Sequence, residues 1–310
     1  MTKIAVQMDP PENINIKGDT TFALMVEAQS RGIELFEFQP GSLTIENGEI
    51  TARLRSAKVH PDNPKQPFTL GSPTRQPLND FEVILIRQDP PFDMAYYSNT
   101  YLLELLAPST RVLNNPRAIR NTPEKLSALH FPHLMAATLI SHDRELITDF
   151  ARRTGEVVLK PLSLFGGEMI VRSNVDDPQF TSHMDLLLAH SAEPIVAQEF
   201  LPNVKDTDKR VMMLQGEVVG VLGRIPAEGT FVANIHSGGR PVLSSLTPKE
   251  EQACREVGAK LKHWDVFFAG LDLIDERLSE INVTSPTLTV ELKAVGGPDI
   301  PKLYWDAAFA

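Results

Sequence analysis

The sequence is poor in the groups that carry several familiar chemistries. Cysteine occurs once in 310 residues, as Cys254, which excludes an intrachain disulfide and any cysteine-rich metal centre. Cys254 lies in the helical pattern TPKEEQACREVGAKLKHW, where nothing nearby marks it as a nucleophile. No apolar run is long enough to span a bilayer, and MTKIAVQMDP leads straight into a strand rather than a signal peptide. A soluble cytoplasmic protein is expected. Positive charge is in short supply. The formal net charge of -10 argues against a protein that coats nucleic acid, while leaving room for local basic pockets for anionic small molecules. His60, His130, His133, His142, His183, His190, His236 and His263 are scattered, without ligand spacing to a partner acid. The sequence contains no Walker A loop, and no G-x-G-x-x-G, H-E-x-x-H, G-x-S-x-G or C-x-x-C. No internal repeat is evident, and the nearest thing to low complexity is a Pro-rich loop near 61–77.

What remains is an ordinary globular composition, 42% hydrophobic, in a chain longer than one core usually serves. Two or three lobes are expected. KIAVQM (3–8) reads as a buried strand. Asp19 or Thr20 caps a helix through TFALMVEAQSRG, closed by Gly32, and IELFEFQ (33–39) is a second strand. GSLTIENGEITARLRSAKV reads as a hairpin turning at Asn47-Gly48, HPDNPKQPFTLGSPTRQP as a loop, and FEVILIRQDPPFD (81–93) as an apolar strand ending in charge. This succession predicts an open α/β sheet, in which ligands bind beyond the carboxyl ends of the strands, here Asp9–Asn15 and Arg87–Asp93. YLLELLA reads as helix and RVLNNP as a short strand and turn. Pro116 and Pro123 bracket the expected boundary between residues 1–122 and 123–310.

In the second part, EVVLKPLSLFGGEMIVRS reads as two strands around Gly166-Gly167. A helix over 181–190 and the strand IVAQEFL follow, then a hairpin RVMMLQGEVVGVLGRIP turning at Gln215-Gly216. EGTFVANIHSGGRPVLSS is a long polar loop, of the kind that is often functional. Thr247, with Glu250 three residues on, caps the helix after it.

GLDLIDERLSEINVTSP (270–286) then places acids inside an apolar hairpin. With strands at 270–274 and 278–284, a three-residue loop Asp275-Glu276-Arg277 sets Asp272 opposite Glu280, with Asn282 on the same face. Like charges opposed in a sheet repel. A divalent cation is the simple remedy, since carboxylates and an amide oxygen are hard ligands suited to Mg²⁺ held with phosphates. A solvated sheet face with scattered charges is the competing reading. Lys160, at the mouth of a Gly-containing loop, is a candidate phosphate contact, or else a snorkelling lysine beside an ordinary turn. Arg210 and Arg224, at the two ends of their hairpin, are candidates for carboxylate or phosphate contact, although each alone is more simply a surface arginine. Arg87 is harder to dismiss, because it closes the apolar run VILI.

The segments MDPPENINIKGDTTFALMVEAQSRG, VILIRQDPPFD, NTPEKL, VVLKPL, DKR and GLDLI…LSEINVTSPT, in this order and spacing, resemble the bacterial glutathione synthetases, which are ATP-grasp ligases. The resemblance runs to about Thr287 and implies an α/β fold: an N-terminal open α/β substrate domain, then an ATP-grasp unit with nucleotide between two sheets and a lid at 226–240. It implies joining γ-glutamylcysteine to glycine through an acyl phosphate, with ATP as co-substrate and Mg²⁺ (or Mn²⁺) as cofactor, usually in a homotetramer. By this resemblance Lys125, Lys160, Gly166 and Gly167 meet the ATP phosphates. Gln198, Glu199, Phe200 and Leu201 lie by the adenine, and Asp208 helps hold the nucleotide. Arg210 and Arg224 stabilise the acyl phosphate and substrate carboxylate. Asp272, Glu280 and Asn282 hold metal. Asn15, the Asp19–Thr21 turn, Arg87, Asn282 and Ser285 serve the peptide substrate. Four positions depart from the family pattern: Leu164 and Thr207 replace glycines, and Thr230 and Val232, before Asn234, replace a lid Glu and Arg. Altered acceptor choice, or nucleotide binding with weakened turnover, is the alternative these departures raise.

Overall fold

A computed structural model describes residues 2–164, 166–235 and 238–310. Its first sheet holds β1 (Lys3–Gln7), β2 (Glu34–Phe38), β3 (Thr44–Glu46), β4 (Glu49–Val59), β5 (Phe68–Leu70), β6 (Thr74–Pro77), β7 (Val83–Ile86) and β8 (Arg111–Leu113). A second holds β9 (Thr138–Ser141), β10 (Val157–Pro161), β11 (Val171–Ser173) and β12 (Ile195–Glu199). A third holds β13 (Lys209–Leu214), β14 (Glu217–Ile225), β15 (Arg240–Leu243), β16 (Phe268–Ile274) and β17 (Arg277–Asn282). The helices are α1 (Thr20–Ser30), α2 (Met94–Glu104), α3 (Pro116–Asn121), α4 (Glu124–Ser127), α5 (Arg144–Thr154), α6 (Phe180–His190), α7 (Val204–Thr207), α8 (Pro248–His263), α9 (Thr289–Ala294) and α10 (Ile300–Ala308).

In the first sheet, β2, β1, β7 and β8 run parallel, and β4 adds antiparallel to β2. This is the expected open α/β sheet, and the strands buried on both faces are the uninterrupted apolar runs. Asp19 caps α1, accepting from the Phe22 N–H at 2.6 Å. The β3–β4 turn is Asn47-Gly48, both with positive φ (50° and 86°), the backbone a two-residue hairpin needs. Residues 60–77 are not all loop: β5 and β6 pair with β4, whose eleven residues outrun β3 and leave edge for both. Strands of three and four residues show no period to read. The helix expected at YLLELLA begins at Met94, where Asp93 accepts from the Tyr96 N–H at 2.9 Å. The long polar loop is shorter than expected, because its end, Arg240–Leu243, pairs with β14.

The second and third sheets are antiparallel. The expected capping box at Thr247 and Glu250 is present on α8. One apolar cluster joins the parts of the chain: Ile4, Leu24 and Leu85 of the first sheet and α1 share a core with Met212 and Phe268 of the third sheet and with Trp305 of α10. The Trp305 side chain is fully buried, and its indole N–H donates to Leu24 O at 2.8 Å.

Candidate active site

The third sheet brings charges together through register. Asp272 faces Arg210 on one side and Glu280 on the other, which sets all three in a row across β13, β16 and β17. Arg210 is buried; it donates from Nε to Asp272 Oδ1 at 2.5 Å and from Nη2 to Oδ2 at 3.1 Å. Its side chain lies over Gly270, where an added Cβ would sit 2.9 Å from Arg210 Cδ. Arg224, at the far end of the β13–β14 hairpin in sequence, is close in space. It pairs with Asp208 and reaches Asp272 at 3.4 Å.

The pairing of Asp272 with Glu280 is as expected, but the route to it differs. Ile274 pairs with Arg277 rather than Leu278, so the loop is the two-residue Asp275-Glu276, both with positive φ (51° and 60°). A bulge follows: Leu273 pairs with Leu278 and Asp272 with Glu280, which leaves Ser279 as the extra residue. The shorter turn and the bulge cancel, and the acids meet. A bulge also re-aims side chains and loosens the local ladder.

Lys160, at the end of β10, approaches Glu280 to 3.5 Å and Gln198 Oε1 to 3.3 Å. Lys125, on α4, lies 3.9 Å from Glu280 and donates to Leu164 O at 2.6 Å. Leu164, which stands where the family pattern has glycine, is not among the residues with positive φ, so a side chain there carries no left-handed backbone strain. Gly166 and Gly167 do have positive φ (69° and 86°). Burial opposes ionisation of Asp272, yet Arg210 and Arg224 hold its carboxyl at about 2. Glu280 is likewise lowered, by Lys125 and Lys160 acting against burial. Burial pushes Lys160 down, against Glu280. The opposed acids are therefore balanced here by four cations from outside the hairpin.

Between the second and third sheets lies a cavity of about 550 Å³. It is lined by Lys125, Lys160, Gly166, Gly167, Gln198, Glu199, Phe200, Leu201, Asp208, Arg210, Arg224, Asp272, Glu280, Asn282 and Ser285. The loop after β14 brings Phe231 and Val232 to the same cavity. Phe231 packs edge-on against Phe200, and the Arg172 guanidinium lies 3.9 Å from the Phe200 ring centre. Val232 sits directly on the glycine loop: a Cβ on Gly167 would come within 2.9 Å of its Cγ1.

Asn15, Asp19 and Arg87 are not part of the lining. Asn15 is exposed and accepts from the Lys17 N–H. Asp19 is the α1 cap. Arg87 is buried just behind the wall, donating to Thr21 Oγ1 and to Pro286 O, each at 3.0 Å. Its carbonyl accepts from Ser285 Oγ at 3.4 Å. Sequence reasoning passed over Glu124. It lines the cavity, accepts from Thr284 Oγ1 at 3.1 Å, and is pushed up to about 7 by burial and then by Glu280. Its place directly before Lys125 was the available signal.

The donor set fits a hard divalent cation. Asp272 and Glu280 present carboxylates on adjacent strands, and Asn282 spends its Nδ2 on Gly270 O at 3.2 Å, so that its amide oxygen is the atom that would face a cation. Among the described residues no three His, Cys, Asp or Glu side chains converge to hold a metal. A cation here would complete its shell with phosphate oxygens and water.

Family models of the prokaryotic glutathione synthetase match almost the whole chain: the N-terminal domain over residues 2–120 and the ATP-grasp domain over 124–297. The chain belongs to the prokaryotic glutathione synthetase family. Curated relatives named glutathione synthetase agree. That of Rhodopseudomonas palustris is 44% identical over 98% of this chain and 97% of its own. That of Brucella melitensis is 44% identical over 99% and 98%. Among solved structures, the D-cycloserine synthetase DcsG superposes with a TM-score of 0.68 at 15% identity, covering 98% of each chain, a likeness of fold alone. Among the described residues no helix is long and apolar enough to cross a membrane.

Proposed function

We propose that this family member is an ATP-dependent carboxylate–amine ligase that joins γ-glutamylcysteine to glycine. The observation that carries the reading is the cavity between two sheets, with Lys125 and Lys160 gathered at its wall beside Glu280 of the Asp272–Glu280 hairpin. ATP binds there, with the adenine beside Gln198–Leu201 and the phosphates at Lys125, Lys160 and the Gly166-Gly167 backbone. Asp208 steadies the nucleotide through Arg224. Mg²⁺, with Mn²⁺ as a substitute, is held by Asp272, Glu280 and Asn282, and when bound it offsets the charge of the phosphates.

The peptide's cysteinyl carboxylate takes the γ-phosphoryl group, and the glycine amine then displaces phosphate. Arg210 and Arg224 offset the charge that develops on the acyl phosphate and its carbonyl. No protein nucleophile is required, so rate comes from positioning and fixed charge. Ser285 orients the peptide, with Arg87, Asp19 and Asn15 behind it. The lid at 226–240, of which residues 236 and 237 lie outside the described residues, excludes water, which would hydrolyse the acyl phosphate. Residues 1–122 act as the substrate unit and 123–310 as the ATP-grasp unit, in a cytoplasmic homotetramer.

The test is ADP release from Mg-ATP and γ-glutamylcysteine, with and without glycine, followed by mass analysis of the product. Glycine-dependent ADP with a glutathione mass is expected. ADP released only with other amines, or nucleotide bound without release, would overturn the acceptor or the turnover respectively.

A further inference from the structure

The hairpin β16–β17 is gripped at both ends by side chains that do not belong to it. At its open end stands Asn114, which is buried and follows β8 of the first sheet. Its Nδ2 donates to Phe268 O and to Val283 O, each at 2.7 Å. Its Oδ1 accepts from the N–H groups of Phe267 at 3.1 Å and Phe268 at 2.7 Å. Two donations and two acceptances exhaust one amide. The carbonyls it bridges belong to the start of β16 and to the residue just past β17, so the amide sets the distance between the strands there.

At the turn end stands Thr207. Its hydroxyl accepts from the Asp275 N–H at 3.0 Å and donates to Asn203 O at 2.8 Å. Asn203 Nδ2 in turn reaches both Asp275 carboxylate oxygens at 3.2 Å. Thr207 stands where the family pattern has glycine, which has no hydroxyl to offer.

Between the grips the hairpin is under opposing pulls. Asp272 is drawn towards Arg210 and Arg224, Glu280 towards Lys160 and Lys125, and the two acids repel. The bulge at Ser279 interrupts the ladder beside them. We infer that Asn114 and Thr207 are positioning residues, which hold the hairpin at the spacing that lets Asp272, Glu280 and Asn282 meet one cation. The inference rests on the proposed reading of those three as metal ligands. Groups that orient metal ligands commonly matter for affinity nearly as much as the ligands do.

The experiment is a titration of Mn²⁺, followed by electron paramagnetic resonance, into the full-length protein carrying bound ADP. ADP affinity without metal is measured alongside. Thr207→Val removes the hydroxyl at constant shape, and Thr207→Ser keeps it. Asn114→Asp keeps the accepting oxygen but sets a second oxygen against two carbonyls. Thr207→Val and Asn114→Asp are expected to weaken Mn²⁺ binding by about 10-fold, with ADP affinity in the absence of metal unchanged, and Thr207→Ser to restore wild-type Mn²⁺ binding. Should Asn114→Asp fail to fold, the Val and Ser pair decides the matter alone. Glu280→Gln separates the two readings. If it abolishes Mn²⁺ binding while Thr207→Val and Asn114→Asp bind as wild type, the positioning role is refuted and the ligand assignment stands. If Glu280→Gln binds Mn²⁺ as wild type, the ligand assignment fails and the inference with it.

Discussion

Gly167→Ala should uncouple the glycine loop from the lid, and the size of the effect can be built from two separate causes. Gly167 has φ +86°, and placing an L residue in left-handed backbone costs roughly 1–2 kcal/mol. The new Cβ would also lie 2.9 Å from Val232 Cγ1, and relieving such an overlap costs about 1–3 kcal/mol. Together these favour conformers in which the two loops separate, and apparent ATP affinity falls with the fraction still able to close. Val232→Ala removes the overlapping methyl and leaves the backbone cost. Gly167→Ala/Val232→Ala should therefore recover about 1 kcal/mol or more of the loss, a coupling of the size expected for residues in contact. Equilibrium ATP binding for the four proteins of the cycle gives the answer. Strict additivity would refute the reasoning, because it would mean that Val232 does not rest on Gly167 when nucleotide binds.

Glu280→Gln should abolish divalent-metal-dependent turnover while the protein remains folded by circular dichroism; near-normal rates would remove Glu280 from the ligand set. Val232→Arg should raise turnover if the apolar lid is merely a weaker version of the family's charged one, and an unchanged rate would mean that the position is not equivalent to the family's arginine. Glu124 carries a carboxyl raised from 4.5 to about 7, so its contribution to stability is fully present below pH 4.5 and is lost as pH rises through 7. Wild type should thus lose about 2–3 kcal/mol more than Glu124→Gln between pH 5 and pH 8 in urea unfolding, and parallel pH profiles would contradict the shift. Cys254 is buried, with its thiol pushed up to about 12; a thiol reagent should leave it unmodified until denaturant is added.

The α/β fold and most of the residues that line the cavity were legible in the sequence, and the local devices that bring them together were not. Lys160, Asp272, Glu280 and Asn282 were legible because a charge inside an apolar run needs an explanation, and period-two alternation says which charges share a face. The opposition of Asp272 to Glu280 was reached through a three-residue loop that does not exist. A turn shorter by one residue and a bulge at Ser279 cancel in the register, and neither leaves a mark in composition. Arg210 and Arg224 read as surface arginines singly; only the pairing of β13 with β14 makes them neighbours. Asn114 looked like part of a turn, because all of its partners lie more than 150 residues away. The short strands β5 and β6 were illegible for a simpler reason: they exist because β4 offers an edge, not because their own residues demand a strand.

The burial of Trp305 against Leu24 has a bearing on how the chain is made. The two residues are 281 positions apart, and synthesis runs from the N-terminus at about 5–20 residues per second. The sheet's last strand ends at Leu113, so for roughly the 10–40 s needed to translate the remaining stretch to Trp305 at those rates, the first sheet waits with one apolar face open. Residues 1–122, although they contain every strand of that sheet, should then behave in isolation as a sticky, incompletely closed fragment. Release of α10 from the ribosome, rather than completion of the first sheet, would be the moment at which the nascent protein becomes safe from aggregation.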